Sequence, residues 1–172
     1  GLSMGGILAF EIMARAPERV ERLALMDTTC HADAPQNHAI RTRQIQTVHA
    51  GGLRDVMREE LKPAYLVDGP NKATLLDLCL AMAEGLGPEV FEAQALALRD
   101  RPCHRATLKT ITCPTLILGG AEDRLCPPER HYEMQRGIQG TRLEEIANAG
   151  HLPTLEQPSA VTRALEQWLA MA

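Results

Sequence analysis

Apolar residues follow two different rhythms along this chain. Near its start, Ile7, Leu8, Phe10, Ile12 and Met13 occupy nearly every side of a helix over residues 7–16. That is the pattern of a buried helix, and Pro17 closes it. The short run Arg22-Leu23-Ala24-Leu25-Met26-Asp27 then reads as a buried parallel strand, closed by Asp27 and Thr28. A turn, a helix and a strand in succession give the βαβ rhythm of an α/β sheet.

From about residue 32 to 107 the rhythm is purely helical. A stretch over 36–50 stops at Gly51-Gly52, and a second carries Leu53, Val56, Met57 and Leu61 on one face before Pro63. The segment 70–84 is the most apolar, and 88–100 opens on Pro88, which suits a first helical turn. An all-helical insertion after a strand end predicts a cap. The α/β rhythm returns with Pro114-Thr115-Leu116-Ile117-Leu118-Gly119 as a strand, a helix from Glu129 to about Ile138, a weaker strand over 142–146 and a final helix from Pro158. Val161, Ala164, Leu165, Trp168 and Leu169 form its core stripe. The expected division is core over 1–31, helical cap over 32–107 and core again over 108–172.

Composition narrows the picture. The chain has 172 residues, 45% of them hydrophobic and 23% charged, a balance that suits a globular protein with its own core. A net charge of −4 without a basic run argues against nucleic acid as a main partner. No apolar run approaches the ~18 residues of a membrane span. The five cysteines, at 30, 79, 103, 113 and 126, are odd in number and lack C-x-x-C spacing. They suit reduced, mostly buried thiols in a cytoplasmic protein better than a disulfide framework or zinc site.

The candidate chemistry begins at the first residues. Gly1-Leu2-Ser3-Met4-Gly5-Gly6 contains G-x-S-x-G and runs straight into the first helix. A nucleophile elbow needs this pattern, a serine on a strained strand-to-helix turn. Gly1 and Gly5 are expected to let strand and helix approach closely around it. The N–H of Met4, at the positive end of the helix, is the expected donor to an oxyanion forming above Ser3. The elbow motif stands at the chain's start, without the strand it needs before it, so the sequence reads as the C-terminal part of a longer protein. The isolated fragment is expected to be inactive.

Two further groups stand past strand ends, Asp123 after Gly119-Gly120 and His151 after Gly150. Such ends, at the carboxyl edge of an open parallel sheet, are where sites form. A histidine can take and return the serine proton near neutral pH, and a carboxylate can fix its tautomer. The chain order Ser3, Asp123, His151 matches the triad order of this architecture. Glu122 and Asp27 are competing acids. His31, His38, His49, His104 and His131 lack such a setting and read as surface or cap residues. Cys30-His31 and Cys103-His104 lack metal-ligand spacing.

These segments resemble the α/β-hydrolase family with a helical cap. Gly1-Leu2-Ser3-Met4-Gly5-Gly6 is similar to the elbow of its enol-lactonase and small-carboxylesterase branch. Cys113 to Gly119 with Glu122-Asp123 and Pro127-Pro128 resembles the acid-bearing strand and loop, and Gly150 to Pro158 the histidine loop. The resemblance implies an α/β-hydrolase fold truncated at the N-terminus. It implies a serine hydrolase acting on a small ester or lactone through an acyl-enzyme, with no metal or organic cofactor. Leu76, Leu80 and Phe91 are candidates for an acyl pocket. Carbon–carbon bond hydrolases, haloperoxidase-like enzymes and non-catalytic receptors or pseudo-enzymes share these segments and remain open as alternatives.

Overall fold

The computed structural model describes residues 1–170. The chain divides into two compact units, Gly1–His31 with Cys103–Ala172, and Ala32–Pro102.

The first unit is built on a parallel sheet of β1 (Leu23–Met26), β2 (Thr115–Gly120) and β3 (Arg142–Ile146), in that spatial order among the described residues. Leu23 pairs with Thr115, and Leu116 with Arg142. Leu2 bridges in parallel to Met26, so the residues before the elbow lie beside β1. All six residues of β2 are buried, as a central strand covered on both faces must be.

Strand alternation sorts the side chains. Leu23, Leu25 and Ile117 face one core, shared with Phe10 and Met13 of helix α1 (Met4–Arg15). Met26, Leu116, Leu118 and Ile146 face the other, covered by Val161, Ala164 and Trp168 of a C-terminal helix, Pro158–Leu169. The layering of helices on both faces of a parallel sheet follows from burying two apolar faces at once.

The second unit is helical: α2 (Pro35–Thr47), α3 (Leu53–Asp55), α4 (Lys72–Leu86) and α5 (Pro88–Arg99). Gly51-Gly52 does not end a helix cleanly. Wide π-type turns over Val48–Gly52 and Val56–Leu61 flank α3, and Gly51 takes a φ of 93°, which glycine adopts without steric cost. Leu80 is buried at 1% exposure within this unit, while Leu76 and Phe91 are half-buried. Asp33 and Arg101, near the two ends of the unit, approach to 3.2 Å, and Arg41 reaches Asp33 at 2.6 Å. Burial alone would raise the Asp33 carboxyl, but the hydrogen bonds from Arg41 and Asn37 and the nearby arginine charges hold it below its ordinary range.

The first unit then continues through α6 (Pro128–Gly137), a short α7 (Pro153–Glu156) and α8, the C-terminal helix above. The sequence pattern does not announce α7, whose four residues are too few to show a helical period. Met134 and Ile138 join the core beneath α1, and His131 lies fully buried against Gly119.

Gly120 shows how tightly this unit is closed. A Cβ there would stand 1.9 Å from the Gly150 carbonyl oxygen and 2.4 Å from that of Ala149, both backbone atoms. Gly120→Ala is therefore expected to lower stability by about 3 kcal/mol or more. Gly85, in α4 with nothing within 4 Å of its would-be Cβ, is the control. Gly85→Ala should be neutral or stabilising by up to about 1 kcal/mol. Urea midpoints of the two variants check the contrast.

Candidate active site

The elbow is visible in its backbone. Ser3 has φ 50° and ψ −115°, a conformation that a side-chain-bearing residue seldom adopts. Such strain persists where the surroundings hold it, and here they do. Ser3 N–H donates to Met26 O at 2.8 Å, Met26 N–H donates to Gly1 O at 2.9 Å, and Thr28 Oγ1 donates to Ser3 O at 2.8 Å.

The close approach at the turn uses glycines differently from the expectation. A Cβ on Gly1 would lie 2.3 Å from Gly5 O, so Gly1 is required. At Gly5 nothing lies within 4 Å, and the crowded position is Gly6, whose Cβ would stand 2.5 Å from Thr28 Cγ2. The turn packs Gly6 against Thr28, two residues past β1, a contact that the motif alone does not reveal.

The three strand-end candidates come together. His151 Nε2 lies 2.8 Å from Ser3 Oγ, and His151 Nδ1 lies 2.8 Å from Asp123 Oδ2. Asp123 and His151 are 3% and 2% exposed, so water screens this pair little. Asp123 also serves its own loop, since its Oδ1 accepts the N–H groups of Leu125 at 2.8 Å and Cys126 at 3.1 Å. Burial would raise this carboxyl. The His151 hydrogen bond and charge, together with the two loop N–H donors, outweigh it and hold Asp123 below its ordinary range. The neighbouring Glu122 is exposed and outside this group.

Loop contacts fix the histidine. Glu156 Oε2 accepts the Gly150 N–H at 2.8 Å, and Glu122 N–H donates to Ala149 O at 3.0 Å. Glu156, on α7, is a support that sequence reasoning missed. Met4 opens α1, so its N–H belongs to a first helical turn that leaves such groups without intrahelical acceptors.

The competing acid, Asp27, is wholly buried in the same neighbourhood. It sits at the end of β1 with φ 44°, and its Oδ1 accepts the Gly120 N–H at 2.8 Å. Its partner is this backbone group, whereas Asp123 holds the His151 ring.

Two histidines depart from the surface or cap reading. His131 has 0% exposure. His104 is 7% exposed, stacks on Phe10 with ring centroids 5.9 Å apart, and bonds Glu11 at 3.0 Å. His38 and His49 are exposed, and His49 pairs with Glu92 at 2.7 Å. Cys30, His31 and Glu133 bring donor atoms within 4.8 Å of one another, a proximity invisible in the sequence. His31 and Glu133 are already engaged with each other at 2.5 Å, and Arg105 reaches Glu133 at 2.6 Å, which disfavours a cation there. Burial pushes the Cys30 thiol up to about 11, the mark of a structural rather than a reactive thiol. Among the described residues, no helix is long and apolar enough to cross a membrane.

Several known proteins are similar to this chain over nearly its whole length. A thermophilic esterase from Thermogutta terrifontis matches at 34% identity and a TM-score of 0.92, over 98% of this chain and 62% of that one. The enol-lactonase from Burkholderia xenovorans LB400 shares the fold at 22% identity and a TM-score of 0.86, over 99% of this chain and 64% of that one. A pimeloyl-[acyl-carrier protein] methyl ester esterase from Neisseria meningitidis is 27% identical, over 93% of this chain and 53% of its own length. The chain thus spans less than two thirds of the length of each of these relatives. The model of the alpha/beta hydrolase family matches residues 1–164, and with the elbow, the parallel sheet and the strand-end groups described above, the chain belongs to that family.

Proposed function

We propose that the protein containing this chain is a serine hydrolase that cleaves a small ester or lactone through an acyl-enzyme. The observation that carries the reading is the unbroken relay from Ser3 Oγ through the His151 ring to Asp123 Oδ2, with both contacts at 2.8 Å. A carboxylate at Nδ1 selects the tautomer with its proton on Nδ1, which leaves Nε2 as an acceptor for the serine hydroxyl. Ser3 Oγ attacks the acyl carbon as its proton passes to His151 Nε2. The Met4 N–H helps hold the oxyanion, and His151 returns the proton to the departing alcohol. Water then enters in place of the alcohol and attacks the acyl carbon as its proton passes to His151; the bond from acyl carbon to Ser3 Oγ breaks, His151 returns the proton to Oγ, and the acid leaves. The similarity to the Thermogutta esterase favours an ester as substrate. The helical segment 32–107 is proposed as a cap.

In the full-length protein assayed on a short-chain nitrophenyl ester, Ser3→Ala should abolish detectable turnover, a loss on the order of 10⁶-fold. Asp123→Asn should lower kcat by ~10⁴-fold, because the ring then favours the wrong tautomer. A crippling Asp27→Asn beside a near-neutral Asp123→Asn would assign the acid to Asp27 and overturn this account.

A further inference from the structure

Beneath the proposed relay lies a second carboxyl that the mechanism does not use. Asp27 has 0% exposure, and among the described residues no N–H or O–H group donates to its Oδ2. One polar atom each from Asp27, Asp123 and His131 lie within 4.8 Å of one another, all three residues being buried. Two carboxylates this close, away from water, cannot both carry charge. The hydrogen bonds decide which one does. Asp123 accepts from Leu125 N–H, Cys126 N–H and His151, whereas Asp27 accepts from Gly120 N–H. The better-served carboxylate keeps the charge, and the other keeps a proton.

We propose that Asp27 is held as a neutral carboxylic acid and is a positioning residue for the Asp123 carboxylate. Its place in the backbone shows how it acts. Asp27 N–H donates to Leu118 O at 2.9 Å, which locks the residue onto β2. Its Oδ1 takes the Gly120 N–H, and the carbonyl of that same Gly120 accepts the Asp123 N–H at 3.1 Å. Asp27 thus clamps the residue from which the Asp123 loop departs. A proton on the oxygen that Gly120 leaves free makes Asp27 a donor, not a second charge, beside the carboxylate that orients His151.

The surrounding groups agree with this protonation. Burial, chiefly, and then the Asp123 and Glu156 charges push Asp27 up to about 9, against the opposing pull of the Gly120 N–H. His131 is kept neutral mainly by burial, so it supplies no compensating cation. The titratable groups set against Asp27 are Asp123 on its loop, His131 on α6 and Glu156 on α7. Between the ordinary carboxylate range and about pH 9, the folded chain holds a proton at Asp27 that the unfolded chain has lost. The stability contribution of Asp27 therefore falls as pH rises through that window.

This inference deepens the proposed hydrolase reading and rests on it for the catalytic half alone. The test compares Asp27→Asn and Asp27→Ala with the wild-type full-length protein. Asp27→Ala should lower kcat on the nitrophenyl ester by about 10- to 100-fold with little change in KM, the effect of a misplaced relay. Asp27→Asn, which keeps a donor at the Oδ2 position, should restore most of that loss. The thermal midpoint of Asp27→Asn relative to wild type should rise between pH 5 and about pH 9. In the wild type, without any variant, infrared difference spectra should show the carbonyl stretch of a protonated carboxyl at neutral pH that disappears above about pH 9. Absence of that band, or a pH-independent stability difference, would show Asp27 ionised and sink the proposal. Full kcat in Asp27→Ala would remove its positioning role. The spectroscopic and stability readouts do not depend on turnover. An active Ser3→Ala enzyme would overturn the hydrolase reading and leave the Asp27 protonation to be judged separately.

Discussion

The hydrogen bond between His151 Nδ1 and Asp123 Oδ2 is the contact on which the site depends. An imidazole free to rotate or to change tautomer cannot keep an acceptor aimed at a serine hydroxyl. A buried carboxylate at one nitrogen settles both questions at once. That carboxylate must remain charged inside the protein, which burial opposes. It does so because two loop N–H groups and the ring donate to it, and because its nearest carboxyl neighbour is proposed to keep its own proton.

The fold supplies that geometry through close backbone approach. Gly119 lets the buried His131 ring lie against β2, and Gly120 lets the histidine loop cross the acid loop with carbonyl oxygens where any Cβ would clash. Gly6 plays the same part at the elbow against Thr28. Strand ends in a parallel sheet stand side by side, so three loops separated by many residues in sequence converge at one edge. Strain at Ser3 and at Asp27, both with positive φ, occurs where hydrogen bonds to neighbouring strands hold the backbone.

Much of this is readable in the residues. Buried parallel strands are short, apolar and β-branched, so 114–119 stands out, and the stripe from Val161 to Leu169 has a clear helical period. Ser3 stands out by its G-x-S-x-G motif, and Asp123 and His151 because each follows a strand, all local properties of sequence. Properties that need the third dimension do not show. Gly5 and Gly6 are indistinguishable until the contact with Thr28 is known. His131 looks like a polar helix residue, yet the absence of a side chain at Gly119 gives its ring a buried place. Asp27 reads as a rival to Asp123, since charge state depends on neighbours that the chain brings in from residues 120 to 156. The wide turns on either side of Leu53–Asp55 do not show, because the spacing of Leu53, Val56, Met57 and Leu61 reads as an ordinary helical face.

The central claim is that Ser3 becomes covalently acylated during turnover. Its most direct test is to mix the full-length protein with a nitrophenyl ester, quench in acid within the first turnovers and map the adduct by peptide mass spectrometry. The account predicts a burst of nitrophenol matched by one acyl group on the peptide containing Ser3, lost in His151→Ala. Sustained turnover with no acyl group at Ser3, or an adduct elsewhere that survives Ser3→Ala, would contradict it.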